Sequence, residues 1–152
     1  MARALGVTKG GFYWQFESRQ ELIAGMLDVW EQVGVDDVMR YIDSRGGDAR
    51  AKLGRLFEHV GSKGGAGVKA DIAFRDWARR DRVVAKRQQR IDNRRMEYMR
   101  SLFREFCRDD EEIEARCMLV YTLWIGNHFI AADHGPRTRA EVLQAAQDQL
   151  LA

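Results

Sequence analysis

Apolar residues recur at steps of three and four along most of this chain, the periodicity of helices that bury one face. Leu22, Ile23, Met26, Leu27, Trp30 and Val33 make one such stripe, and its continuation through Val38 and Ile42 predicts a single long helix. Ser18-Arg19-Gln20-Glu21 opens that helix as a capping box, in which Ser18 and Glu21 satisfy each other's orphan amides. Upstream, Thr8 caps a short helix through Phe16, so two helices meet at Glu17 and Ser18. Ser44-Arg45-Gly46-Gly47 breaks the pattern, and Asp48 then caps a helix carrying Ala49, Leu53, Leu56, Phe57 and Val60. Four glycines between Gly61 and Gly67 predict a loop. A short helix follows from Val68, with Ile72, Phe74 and Trp77, to about Arg79–Arg80.

Asp81 caps a long, highly charged helix on which Val84, Ile91, Tyr98, Leu102 and Phe106 recur. Asp109 starts the next helix, read as running over 110–133. It carries Ile113, Cys117, Val120, Tyr121, Trp124, His128 and Ile130 around much of its circumference, which predicts burial on more than one side. Gly135-Pro136 ends it, and Thr138-Arg139-Ala140-Glu141 is a second capping box opening an amphipathic helix with Val142, Leu143, Ala146, Leu150 and Leu151. Eight helical segments, the first a stub, place the chain in the all-α class.

Composition narrows this further. A chain of 152 residues supports one well-buried body with a small appendage, and a single proline suits long uninterrupted helices. No stretch approaches the roughly 18 consecutive apolar residues of a membrane span, and Met1–Gly6 lacks the apolar segment of a signal peptide, so a cytoplasmic protein without membrane contact is expected. Cys107 and Cys117 lack CxxC spacing and a neighbouring histidine pair, so neither zinc nor a disulfide is indicated. His59, His128 and His134 share no metal-ligand spacing, no serine sits in a glycine elbow, and no glycine loop follows a strand. An enzyme, a metal and a cofactor are therefore not expected. A formal charge of +2 permits a nucleic-acid partner without demanding one. Between Arg75 and Arg100 ten basic residues face four acidic ones, but they encircle their helix, which reads as a solvated face.

The amino-terminal segment has its own logic. Gly6 allows a left-handed turn, Val7 plugs the corner between helices, and Thr8 caps a very short helix whose first turn is small and basic. Gly10 and Gly11 weaken that helix by roughly 1 kcal/mol each relative to alanine, a loss that makes sense where the backbone must approach DNA closely. Gly6, Val7, Thr8, Lys9, Gly10, Tyr13, Phe16, Ser18 and Leu22 stand at the spacings of the recognition segment of the TetR family of transcriptional regulators, which this chain resembles. Arg19 replaces the usual lysine, and Trp14 stands where histidine is common. The stretch Ala73–Asp81 and the two carboxy-terminal helices resemble the family's body more loosely.

The resemblance implies a partial helix-turn-helix head with its linking helix over 1–43 and a ligand-binding and dimerisation body over 44–152. By position it implies phosphate contacts from Thr8, Lys9, Tyr13 and Arg19, with Gly10, Gly11 and Trp14 near base edges. It implies a repressor that binds double-stranded operator DNA as a homodimer, through helices at about 110–133 and 138–151, and is released by a small, mostly apolar effector. Phe57, Phe74, Trp77, Met96, Met99, Phe103, Tyr121, Trp124, Asn127 and His128 would wall its pocket, against the alternative of a filled core. In the family a full helix and most of another precede the position of Ala2. Weakened or lost operator binding is therefore expected of the chain as written, with a dimeric ligand-binding protein that has lost DNA binding as the alternative.

Overall fold

The computed structural model describes residues 18–62 and 66–152, which form helices and turns without a strand. They are α1 (Arg19–Glu31), a π-helical turn (Gln32–Asp36), α2 (Asp37–Ser44), α3 (Ala49–Ser62), α4 (Ala66–Ala78), α5 (Arg82–Phe103), α6 (Asp110–Gly126) and α7 (Arg139–Leu151). Among the described residues, no helix is long and apolar enough to cross a membrane. The short helix expected over Thr8–Phe16, and with it Thr8, Lys9, Gly10, Gly11, Tyr13 and Trp14, lies outside the described residues.

Helix starts follow the sequence closely. The Ser18 hydroxyl accepts from the Glu21 N–H at 3.1 Å, and the Asp48, Asp81 and Asp109 carboxylates accept from the N–H groups of Ala51, Val83 and Glu111 at 2.8, 2.8 and 3.0 Å. Thr138 and Glu141 form the reciprocal box. Each side chain satisfies an amide that the helix itself leaves without an acceptor. Gly46 and Gly47 turn the chain between α2 and α3 at φ +63° and +88°, the left-handed region that glycine enters without a Cβ penalty.

The long helix expected from Ser18 is continuous, but it contains the π turn, in which the Asp37 N–H reaches back five residues to the Gln32 carbonyl. One inserted residue rotates everything downstream by about 100° relative to an uninterrupted α-helix. The buried stripe therefore steps from Trp30 to Val35 and on to Ile42, while Val33, expected in the stripe, is 52% exposed, and Met26 is exposed as well. The predicted Gly61–Gly67 loop is also shorter than expected, because α3 runs to Ser62 and α4 begins at Ala66.

The helix expected over 110–133 ends instead at Gly126. Its stop is made from a distance. The Arg139 guanidinium donates to the carbonyls of Asn127, Ile130 and Ala132 at 2.8, 2.6 and 3.1 Å and to Asn127 Oδ1 at 3.2 Å. Those acceptors are thereby satisfied without further helical turns. His128 and Ile130 stand outside the helix and are exposed. Burial on more than one side is not found among the described residues either. Ile113, Cys117 and Val120 are buried, whereas Met118 and Leu119 are each 56% exposed.

Two apolar clusters hold the helices. The first joins Leu53 and Phe57 of α3, Met96, Met99, Leu102 and Phe103 of α5, and Ile113, Cys117 and Val120 of α6. Burial pushes the Cys117 thiol up to about 11, so it stays protonated, and Cys107 nearby is buried and likewise raised. The second cluster joins Leu27, Trp30, Val35, Phe74, Val84 and Ile91, with the Trp30 ring stacked on Phe74 at 4.3 Å between centroids.

Ion pairs close the second cluster. Glu31, buried on α1, meets Arg94 at 3.0 Å and Arg87 at 3.2 Å and also binds Arg90; Arg94 and Arg87 reach Asp36 and Asp28 in turn. The basic run is therefore not a uniformly solvated face. Arg79, Arg80, Arg82 and Lys86 are exposed, but Arg87, Arg90, Arg94 and Arg95 pin α5 to its neighbours because α1 and α4 present carboxylates where they cross it.

Candidate functional site

A cavity of about 120 Å³ opens where the two clusters meet. Gly34, Val35, Val38 and Met39 face it from the long amino-terminal helix, and Leu56 and Phe57 from α3. Arg95, Tyr98 and Met99 come from α5, Val120, Tyr121, Leu123 and Trp124 from α6, Asn127 and His128 from the turn after it, and Leu143 and Gln147 from α7. Most of these groups are apolar, which suits shape-filling contact with an apolar molecule.

Of the pocket residues expected from sequence, Phe57, Met99, Tyr121, Trp124, Asn127 and His128 line this cavity. Phe74 and Trp77 do not. They continue the stack begun by Trp30, with Phe74 and Trp77 6.2 Å from each other. Met96 and Phe103 are buried within the first cluster. Among the expected DNA contacts only Arg19 is described, at the first position of α1 and exposed.

Sequence reading missed Arg95 and the π-turn wall. Arg95 sits in a run of arginines, and nothing local separates it from its exposed neighbours. Gly34 carried a signal, being a glycine inside an apolar stripe of a long helix. A Cβ there would stand 3.2 Å from an Arg95 guanidinium nitrogen, and the Gly34 carbonyl accepts from Arg95 at 3.3 Å.

Behind the cavity wall lies a compensated polar network. Arg95 donates to Asp71 at 2.7 Å, and Arg75 donates to Asp71 at 2.7 Å and to both oxygens of Asp92 at 3.0 and 2.9 Å. Arg75 also donates to the Tyr121 oxygen at 2.8 Å, and the Tyr121 hydroxyl donates to Asp92 at 2.5 Å. Burial pushes the Tyr121 hydroxyl up to about 12 against the pull of Arg95 and Arg75, so it remains a donor. Burial also opposes the charge on Arg95, but Asp71 and Tyr121 more than offset it and hold the guanidinium above its ordinary value. Both arginines are fixed cations, and Arg95 and Tyr121 belong to the network and the cavity wall at once.

The Trp124 indole completes the wall. Its ring meets Tyr121 edge-on at 5.3 Å, and the Arg95 guanidinium lies 5.0 Å from its centroid. Its N–H is buried and has no acceptor among the described residues.

Such an arrangement offers a small apolar volume beside a wall of fixed polar groups. It suits binding, and the wall includes the helix that leads directly back to Ser18. Compared with models of protein families, with curated proteins and with solved structures, the chain finds no match.

Proposed function

We propose that this chain is a transcriptional regulator of the TetR type, a repressor that binds operator DNA as a homodimer and is released by a small, mostly apolar effector. The observation that carries the reading is the composition of the cavity wall. Gly34, Val35, Val38 and Met39 belong to the continuous helix that starts at Ser18, immediately after the recognition-like segment Gly6–Phe16. A ligand that fits one placement of this helix better than another shifts the balance between the two by its difference in affinity. The same difference is then felt by whatever the helix holds against DNA.

Dimerisation is supported by the faces that α6 and α7 leave open. Met118 and Leu119 are exposed on α6, and no residue of α7 is fully buried. Two copies that bring these helices together would cover those faces in an intermolecular four-helix bundle. Sedimentation at micromolar concentration is expected to give a dimer, and a monomer would remove this part of the reading.

The DNA-binding part is tested by mapping the DNA held by the tagged protein in its native cells. Weak or lost binding is expected of the chain as written, and a few sites sharing a palindromic sequence once the recognition-like segment is preceded by the helices that hold it in the family. Lys9→Ala is expected to weaken all of them about equally, since a phosphate contact carries no sequence information. Binding spread without sequence preference contradicts the regulator and leaves a dimeric ligand-binding protein.

A further inference from the structure

We infer that the turn between α4 and α5 is a second contact surface for duplex DNA, on which Arg79, Arg82 and Lys86 meet phosphates beside those taken by the recognition-like segment. This rests on the DNA-binding reading and adds to it a contact made by the body.

The placement follows from the register of two helices. α1 and α5 lie side by side and run in the same direction, because Asp28 and Glu31 of α1 and Asp36 beyond it pair in turn with Arg87, Arg90 and Arg94. Leu27 and Trp30 pack in one cluster with Val84 and Ile91. At a rise of about 1.5 Å per residue, Arg82 stands about 8 Å before Arg87 on α5, and Arg19 about 14 Å before Asp28 on α1. The two helices therefore start at the same end of the molecule, about 6 Å apart along their common direction. The turn at Arg79 and Arg80 leads straight into the start of α5. Neighbouring helix axes are about 8–10 Å apart, so the turn stands one helix spacing from Ser18, which follows Gly6–Phe16 in the sequence.

Unpaired positive charge is concentrated at this end. Arg87, Arg90, Arg94, Arg95 and Arg100, further along α5, are all tied to carboxylates. Arg19, Arg79, Arg82 and Lys86 are exposed and form no ion pair among the described residues. Of the acidic side chains beside them, Asp76 is held by Arg80, and Asp81 accepts from the N–H groups of Val83 and Val84 at 2.8 and 3.3 Å. Glu21, on the first turn of α1, is set against these four cations.

Exposed cations without fixed acceptors suit a polyanion of regular charge, and duplex DNA carries one negative charge per about 1.7 Å of its axis. A segment seated in a major groove about 12 Å wide has a phosphate wall on either side. A cation one helix spacing from that segment comes alongside such a wall. A membrane surface fits less well, because Val83 is the one large apolar side chain exposed between Arg82 and Lys86, whereas helices that lie on membranes present several.

The test is the salt dependence with which the whole chain binds a labelled duplex of arbitrary sequence, from about 50 to 200 mM NaCl, where phosphate attraction is read without sequence recognition. Replacing Arg79 and Arg82 together by Gln is expected to make the slope of log affinity against log salt shallower by about 2, since each lost phosphate contact removes about 0.9. Replacing Arg45 and Arg108 by Gln removes the same charge beyond the far ends of α2 and α5, and is expected to leave the slope as in the wild type. Equal slopes in the two double variants would overturn the inference. No binding by the wild type at about 50 mM NaCl would overturn it together with the DNA-binding reading. Lys9→Ala keeps the two apart. A slope moved by Lys9→Ala and not by the Arg79 and Arg82 pair leaves the regulator and removes the turn, whereas the reverse keeps the turn and removes the head. Binding to phosphatidylserine vesicles that is lost with Arg79 and Arg82, while the DNA slope stays unmoved, would overturn the inference by assigning the turn to a membrane surface.

Discussion

Between α3, α5 and α6 the chain buries Leu53, Phe103 and Cys117 completely or nearly so, with no charged side chain among them; between α1, α4 and α5 it stacks Trp30 on Phe74 and surrounds the stack with arginine–carboxylate pairs. The three buried polar or charged side chains among the described residues, Glu31, Asp71 and Gln88, all lie on this second side. Apolar contact is non-directional and does not respond to charge screening, and it holds its helices wherever their surfaces fit. Paired charges have discrete geometries, and one set of partners can be exchanged for another. The cavity lies on the boundary, with Phe57, Met99 and Val120 from the apolar side and Val35 and Met39 from the polar side. On the proposed reading, a ligand there would bear on both sides at once, the second including the long amino-terminal helix.

Mutations that distinguish the two sides should rank accordingly. Phe103→Ala removes a fully buried ring from the apolar cluster and is expected to lower unfolding stability by about 4 kcal/mol, read by urea denaturation. The loss should be the same in low and high salt. Asp71→Ala strands the Arg95 guanidinium inside the polar side, and about 3 kcal/mol is expected to be lost. Replacing both partners, Asp71→Leu with Arg95→Met, should recover most of that loss, because the penalty belongs to the unpaired charge. If the double variant is no better than Asp71→Ala, the network matters for its shape and not for its charge balance.

Glu31→Gln keeps the size of the side chain and removes the charge shared by Arg87, Arg90 and Arg94, two of which are partly exposed. A loss of about 1–2 kcal/mol is expected at low salt, shrinking toward 1 M NaCl as screening weakens the pairs. Arg80→Ala serves as the control. Its pairing with Asp76 is mostly exposed on the surface of α4 and the following turn, so its removal should change stability by no more than about 0.5 kcal/mol.

What the sequence revealed and what it hid divide along the range of the interactions. Ser18, Asp48, Asp81, Asp109 and Thr138 each announce a helix start because a cap is decided within three residues. The end of α6 is decided by Arg139, more than a turn beyond Gly126 and across a loop, and no local pattern marks it. The pairing of Glu31 with Arg90 spans 59 residues, so the arginine run looked solvated until α1 was laid against α5. The π turn has the same origin. Trp30 and Val35 share a buried face only if one residue is inserted between them, and that register is chosen by the packing of Trp30 on Phe74. The cavity inherited both outcomes. Its α6 aromatics were named as pocket residues through the family resemblance, whereas Gly34 and Arg95 required the long helix to be placed.

The claim that occupancy of the boundary is felt by the helix leading to the recognition-like segment is tested most directly by hydrogen exchange on the whole chain with and without saturating benzene, a neutral single-ring probe. The amides of Gln32–Asp36 and of α1 are expected to change their exchange together with those of α6. A change confined to α3, α5 and α6, with the amino-terminal helix exchanging as before, would contradict the account.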